Sequence, residues 1–387
     1  MPDTFGFAVT HRDGSARRGL LRTPHGLVQT PAFMPVGTRG SVKAVTFRDL
    51  KDLGAEIVLG NTYHLLLRPG PDLIARRGGL HQFIGWDRPI LTDSGGYQVF
   101  SLGDLRSIDE TGVVFRSHLD GAAHRLTPER AADIQALLGS DVAMVLDECT
   151  PYPATEAVAR ASLERTARWA RRGRDRFLAI ASGTTDVAPT NPGQVQFGIV
   201  QGGVHPALRL ESVQATVEVG FDAYAIGGLS VGEPTDVMYD IVSATAPCLP
   251  AERPRYLMGS GLPDDLVECV SRGVDLFDCV LPTRNARNGQ VLTRWGPLNL
   301  RNARYAEDDR PIDDECGCYT CRTCSRAYLR HLATVGEMTS ATLNTLHNLY
   351  FYVDIMRRMR DAIEFGSFER FRRDFLLTFS RRVPTHE

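Results

Sequence analysis

Seven times along the chain, a short and almost continuous apolar run stops at polar or glycine-rich punctuation. The runs are "EIVLGNTYHL", "PILTDSGGYQ", "VAMVLDECTP", "VQFGIVQGG", "FDAYAIGGLS", "PRYLMGSGLP" and "VDLFDCVLPTRNAR". A strand that is apolar throughout must be covered on both faces, which is the mark of a parallel sheet flanked by helices. Helical patterns lie between several of the runs. "TPERAADIQALLGS" places Thr127 as N-cap, Pro128 in the first turn, and Ala131, Ile134 and Leu138 on one face. "GLPDDLVECVSRG" repeats the device with Pro263 and stops at Gly273. With an eighth strand expected near "QTPAFMPVGTRG", the predicted fold is α/β, a (β/α)8 barrel. A doubly wound sheet is the alternative, but no G-x-G-x-x-G follows a strand to support it. The N-terminal section has period-two texture with a hairpin turn at "RDGS" (12–15), and "AIASGTTDVAPTNPGQ" (179–194) reads as a loop.

"CGCYTCRTC" (316–324) packs four cysteines into nine positions. The start "MPDTFGFAVT" lacks the basic residues and apolar run of a signal peptide, and no apolar stretch reaches membrane-spanning length. The expectation is therefore a cytoplasmic protein with no membrane partner. In a reducing compartment clustered thiols bind metal more often than they pair. The C-x-C-x2-C-x2-C spacing fits a tetrahedral, structural zinc site. Four cysteines close such a site alone, or a histidine replaces one of them. His331 and His347 are the nearby histidines, the latter inside a long amphipathic helical pattern that includes Leu343, Leu346, Tyr350, Val353 and Met356.

A net charge of −2 excludes a global field that attracts nucleic acid. Local stretches such as "RTARWARRGRDRF" (165–177) have the charge to touch phosphate, although a solvated helix face is the simpler reading.

In a barrel, the C-terminal strand ends converge on one mouth. They supply Asp93, Asp147, Gln201, Gly228, Met258 and Asp278. One strand-end aspartate is easily explained as a helix N-cap. Three of them suggest paired-carboxylate chemistry, in which one attacks an electrophilic carbon and another moves a proton, as in glycosidic bond exchange.

"TDSGGYQVFSL", "LDECTPYP", "GIVQGG", "IGGLSVGE", "YLMGSG", "FDCVLPTRNARNG" and "CGCYTC…HN" occur in order over nearly the whole chain, and together they resemble the bacterial tRNA-guanine transglycosylases. The resemblance implies a TIM barrel as a single catalytic domain over 1–387, with an attached zinc-binding subdomain at 300–360. It also implies a homodimer. The implied reaction replaces the wobble guanine of tRNAs with a G-U-N anticodon by 7-aminomethyl-7-deazaguanine, in queuosine biosynthesis, through a covalent enzyme–tRNA intermediate. Matched to the family, Asp278 is the nucleophile and Asp93 the general acid/base. Asp93, Ser94, Gly95, Gly96, Asp147, Gln201, Gly228 and Leu229 form the base-binding set, and Tyr97 and Met258 sandwich the base. The RNA-contacting segments are Gly259, Ser260, Gly261, Leu262, Pro263, Asp264 and Asp265, then Thr283, Arg284, Asn285, Ala286 and Arg287. Leu262 departs from the lysine common in relatives, which puts one phosphate contact in question. The zinc ligands become Cys316, Cys318, Cys321 and His347, leaving Cys324 and His331 outside. Cys149 and Val231 stand where queuine-inserting relatives carry glycine, so the small bacterial precursor is the expected base.

The chemistry of guanine agrees with this assignment. Its N1–H and exocyclic amine suit a carboxylate such as Asp147, and its O6 suits the Gln201 amide and a backbone N–H. A base inside an anticodon loop must be splayed out and stacked before it is reached. A non-catalytic zinc and RNA-binding module would not need three strand-end aspartates. A metal-dependent hydrolase would place histidines at the strand ends, where only His64 lies near one.

Overall fold

The computed structural model describes residues 5–100 and 106–379. The end of the "TDSGGYQVFSL" motif, at 101–102, lies outside them. Strands β1 (Gly6–Asp13), β2 (Ala16–Thr23) and β3 (Gly26–Thr30) form an antiparallel sheet. Gly14, with φ +59°, makes the expected turn between the first two.

β4 (Ala32–Gly37), β5 (Val58–Gly60) and β6 (Ile90–Thr92) follow, then an inserted antiparallel sheet of β7 (Arg106–Ile108), β8 (Val113–Arg116) and β9 (Ala123–Leu126). β10 (Val142–Met144), β11 (Val195–Val200), β12 (Ala223–Ile226), β13 (Arg255–Leu257) and β14 (Leu276–Cys279) come next. The parallel strands close in the order β4–β5–β6–β10–β11–β12–β13–β14, and β14 returns to β4 with Phe277 opposite Phe33. Each of the eight expected strand segments therefore contributes a stave, and closure rules out the open doubly wound sheet. No helix of the described residues is long and apolar enough to cross a membrane.

Local signals explain much of the helical layer. Thr127 caps the helix Pro128–Leu138 by accepting the Arg130 N–H, and Gly139 ends it in the left-handed region. The predicted loop at 179–194 begins three residues late: Ala179–Ala181 is the last turn of the helix Glu156–Ala181. Ile180 there continues the buried stripe that includes Phe177, and tertiary packing extends the helix to meet it. The arginines of this helix are engaged. Arg165 pairs with Glu148, Arg168 with Glu110, Arg172 with Glu129, Arg174 with Asp222 and Arg176 with Asp133. The charges of 165–177 serve ion pairs within the fold, and Arg174 is buried.

After β14, the hairpin β15 (Gln290–Thr293) and β16 (Gly296–Asn299) joins the helix Arg326–Val335 around a small separate core that includes Val291, Leu298, Leu300, Ile312 and Leu329. The 27-residue helix Met338–Glu364 links this unit to the barrel. Its Asn348 donates to the carbonyls of Pro282 (3.0 Å) and Gln290 (3.1 Å), and Asn344 donates to that of Ala286 (3.2 Å). At the opposite, N-terminal end of the barrel, buried Arg17 of β2 forms an ion pair with buried Asp275.

Candidate active site

Asp93 follows β6 directly and is bound by the neighbouring unit. The carboxylate Oδ1 accepts the Thr62 N–H (2.9 Å) and the Gly95 N–H (3.1 Å), while Oδ2 accepts Asn61 Nδ2 (2.5 Å). Burial pushes its pKa up to about 7; the Thr62 and Gly95 N–H groups oppose the rise, and the charges of Asp278 and Asp147 add to it. A carboxyl with that pKa both gives and takes a proton near neutrality.

Asp278, in β14, is held differently. Its Oδ1 accepts the Tyr256 hydroxyl (2.6 Å) and the Gly259 N–H (2.8 Å). Its Oδ2 has no hydrogen-bond partner among the described residues, so one oxygen is fixed and the other is available. Burial raises the Asp278 pKa, and the two donors pull it back. Tyr256 is itself buried, and burial beside Asp278 lifts its pKa well above the ordinary phenol value, so it stays a donor.

The third carboxylate, Asp147, is buried and accepts Gln201 Nε2 at 2.6 Å; burial pushes its pKa up to about 6 against that bond. Gln201 is 1% exposed, and its Oε1 has no partner among the described residues. The second hydrogen of Gln201 Nε2 is left for a ligand acceptor. Glycine is required around this pair. Gly228 has φ +65°, and a Cβ there would lie 2.2 Å from Gln201 Oε1. A Cβ on Gly96 would lie 2.8 Å from the Asp147 carbonyl oxygen. Ser94 is buried, its Oγ accepting the Gly96 N–H, and Leu229 is buried as well.

Tyr97 is 53% exposed, an aromatic ring left in solvent beside the mouth. Met258, after β13, is half-buried. Val231 and Gly228 line one small cavity with Thr150, Tyr152 and Val204, and buried Cys149 precedes Thr150 in the chain.

The two segments matched to RNA contact divide by burial. Gly259, Leu262 and Arg284 are exposed, while Asp264, Asn285 and Arg287 are half-buried. The side chains of Ser260, Pro263, Asp265, Thr283 and Ala286 are buried, as is Gly261. Asp265 accepts the Tyr239 hydroxyl at 2.7 Å, facing the protein. These residues shape the backbone of the segment and do not present groups at its surface.

Cys316, Cys318, Cys321 and His347 come together, with sulfurs 3.7, 3.5 and 3.3 Å from His347 Nδ1. Nε2 of the same ring meets the Leu292 carbonyl at 2.5 Å, which fixes the tautomer that leaves Nδ1 free to bind a metal. Three soft sulfurs and one imidazole suit zinc. Cys324 packs against the small core instead, and His331 is exposed.

A second group, His25, His81 and Asp141, does not suit a metal. The imidazoles stack with centroids 3.5 Å apart, whereas two rings bound tetrahedrally to one zinc would have centroids about 5 Å apart. The rings are held instead by hydrogen bonds to the two oxygens of Asp141 (2.8 and 3.1 Å).

Asn61 and Tyr256 are site residues that sequence reasoning missed. Asn61 stands directly after β5, so the strand-end rule applied to "EIVLGN" would have found it. Tyr256 lies inside β13, where a tyrosine reads as core.

The family model for queuine tRNA-ribosyltransferase matches residues 13–381. The chain is 55% identical over 383 residues to the queuine tRNA-ribosyltransferase of Syntrophobacter fumaroxidans, covering 98% of this chain and 100% of that protein. It is 55% identical to that of Thioalkalivibrio sulfidiphilus, covering 98% and 99%, and 52% identical to that of Zymomonas mobilis subsp. mobilis, covering 98% and 96%.

Proposed function

The chain belongs to the queuine tRNA-ribosyltransferase family and is a tRNA-guanine transglycosylase of queuosine synthesis; from that premise we propose a double displacement in which Asp278 and Asp93 have separate roles. The observation that carries this reading is the unequal tethering of the two carboxylates. Asp278 keeps Oδ2 free, with Oδ1 anchored by Tyr256 and Gly259. That oxygen attacks the anomeric carbon of the wobble ribose, and the bond from that carbon to the guanine nitrogen breaks. Asp93, poised at a pKa of about 7, gives the departing guanine its proton. It then takes a proton from the incoming base, whose freed nitrogen attacks the same carbon and releases Asp278. Two inversions leave the anomeric configuration retained.

The base lies between Tyr97 and Met258 in this reading. Asp147 takes its N1–H and amine, while O6 accepts the second Nε2 hydrogen of Gln201 and the Gly228 N–H. The incoming base is 7-aminomethyl-7-deazaguanine, because Val231 narrows the cavity beside Gly228. Arg284, exposed on the helix Leu281–Arg287, is the strongest phosphate contact for the G-U-N anticodon loop. One zinc ion on Cys316, Cys318, Cys321 and His347 would supply folding energy and no reactive position. A homodimer is supported by apolar side chains left exposed on the metal-bearing unit, among them Tyr319, Tyr328, Val335 and Met338.

The test is to trap enzyme with tRNA and a base analogue and to run denaturing gels. Wild type gives a shifted protein–RNA band and Asp278→Asn gives none. A covalent band that persists in Asp278→Asn and disappears in Asp93→Asn would reverse the two roles.

A further inference from the structure

Arg209 has no solvent exposure and no carboxylate partner among the described residues. It lies in the first turn of the helix Pro206–Val219 and spends its guanidinium on backbone carbonyls. Nε donates to Gly203 (2.8 Å), Nη1 to Val200 (3.1 Å) and Gly227 (2.7 Å), and Nη2 to Gly228 (3.4 Å). One cation thereby ties the loop after β11 to the loop after β12. Burial pulls its pKa down to about 10, which leaves it charged at neutral pH. Four neutral acceptors are an expensive way to bury a charge if packing is the only purpose.

The geometry points to Arg209 as a positioning residue that aims the Gly228 N–H at the 6-oxygen of the purine. In a trans peptide the C=O and N–H point in opposite directions. Drawing the Gly227 carbonyl onto Arg209 turns the N–H of the same peptide, that of Gly228, to the other side. Gln201 lies against the same pair of residues, since a Cβ on Gly227 would meet its Nε2 at 2.9 Å and one on Gly228 its Oε1 at 2.2 Å. The Gly228 N–H has no protein acceptor among the described residues, so it is free for a ligand. The cation also polarises the peptide from behind and strengthens its N–H as a donor. That gain is largest when the base departs and negative charge spreads onto O6. The inference rests on the transglycosylase reading of the pocket and adds to it the group that sets the choice of a 6-oxo purine.

The test compares guanine with 6-thioguanine, which keeps N1–H and the exocyclic amine but offers a weaker acceptor at position 6. Binding of each is measured on wild type and on Arg209→Lys, whose single ammonium cannot span the four carbonyls. The expected result is about tenfold weaker guanine binding, the value of one well-aimed hydrogen bond, with 6-thioguanine changed less than threefold. Arg209→Gln, neutral and with only two donors, should lose at least as much guanine binding as Arg209→Lys. Equal loss for both bases, or no loss for guanine, overturns the proposal. So does failure of both variants to fold, judged by circular dichroism and zinc content, which would make Arg209 a folding determinant. Wild type that binds neither base would instead defeat the reading of the pocket on which the proposal stands.

Discussion

Replacing Asp93 by asparagine should stabilise the protein at alkaline pH while removing its activity. Burial lifts the Asp93 pKa from 3.8 to about 7. At about 1.4 kcal/mol per unit, keeping it ionised above that pH costs the folded state at most ~4 kcal/mol. Because its folded pKa is raised, the folded protein holds the extra proton between pH 4 and 7. Stability from this term therefore falls as pH rises through that window and is level above it. The asparagine oxygen still accepts the Thr62 and Gly95 N–H groups, but its amide then faces Asn61 Nδ2, donor against donor. Asn61 is not free to flip, since its Oδ1 caps the next helix by accepting the His64 N–H at 3.1 Å. That conflict costs about 1–2 kcal/mol. The net gain at pH 8 is about 2 kcal/mol, a rise of roughly 2–3 °C in melting midpoint for a chain this size. Differential scanning fluorimetry of both proteins from pH 5.5 to 8.5 measures it. The gap between variant and wild type should widen with pH and level off above about 7. A gap that stays flat across the range refutes the claim that burial holds this carboxyl near neutrality.

Tyr256→Phe removes one of the two donors to Asp278 Oδ1. The acid limb of the pH–rate profile should move up by about one to two units, because a hydrogen bond to a carboxylate contributes about 1.5–3 kcal/mol. An unmoved limb would show that Tyr256 does not tune the nucleophile. Cys318→Ser should lose zinc and soluble yield while Cys324→Ser keeps about one zinc per chain by metal analysis; the reverse pattern would show the ligand set to be wrong. Val231→Gly should raise insertion of queuine relative to the aminomethyl base at least several-fold in competition for one tRNA, and an unchanged ratio would clear Val231 of any part in base choice.

The barrel was legible because burial on both faces writes a parallel strand as an uninterrupted apolar run, and each of the eight runs became a stave. The metal cluster was legible for a similar reason, since sulfur ligands have few other uses at that spacing. The inserted sheet β7–β9 was not foreseen. Its strands are three or four residues long and sit in a mixed polar stretch, where pairing partners rather than local composition decide the structure. The roles of Asn61, Tyr256 and Arg209 were equally hidden. Each acts through a contact made only when distant strands and helices meet, and a buried arginine bound to carbonyls has no signature in its own neighbourhood.

Closure of the barrel sets a timetable for its synthesis. Phe33 on β4 pairs with Phe277 on β14, so one flank of an early strand must wait for a partner made much later. At ribosomal rates of about 5–20 residues per second, that wait is on the order of ten to fifty seconds. During it the nascent chain carries an open edge of β4 and a succession of temporary edges as each new stave is added, all of them templates for pairing with other chains. The helix bearing His347 emerges later still, so the metal unit is completed only after the last stave is available. A ribosome that stalls between β6 and β14 therefore leaves an unsealed half-barrel, and clearing such chains falls to chaperones and proteases.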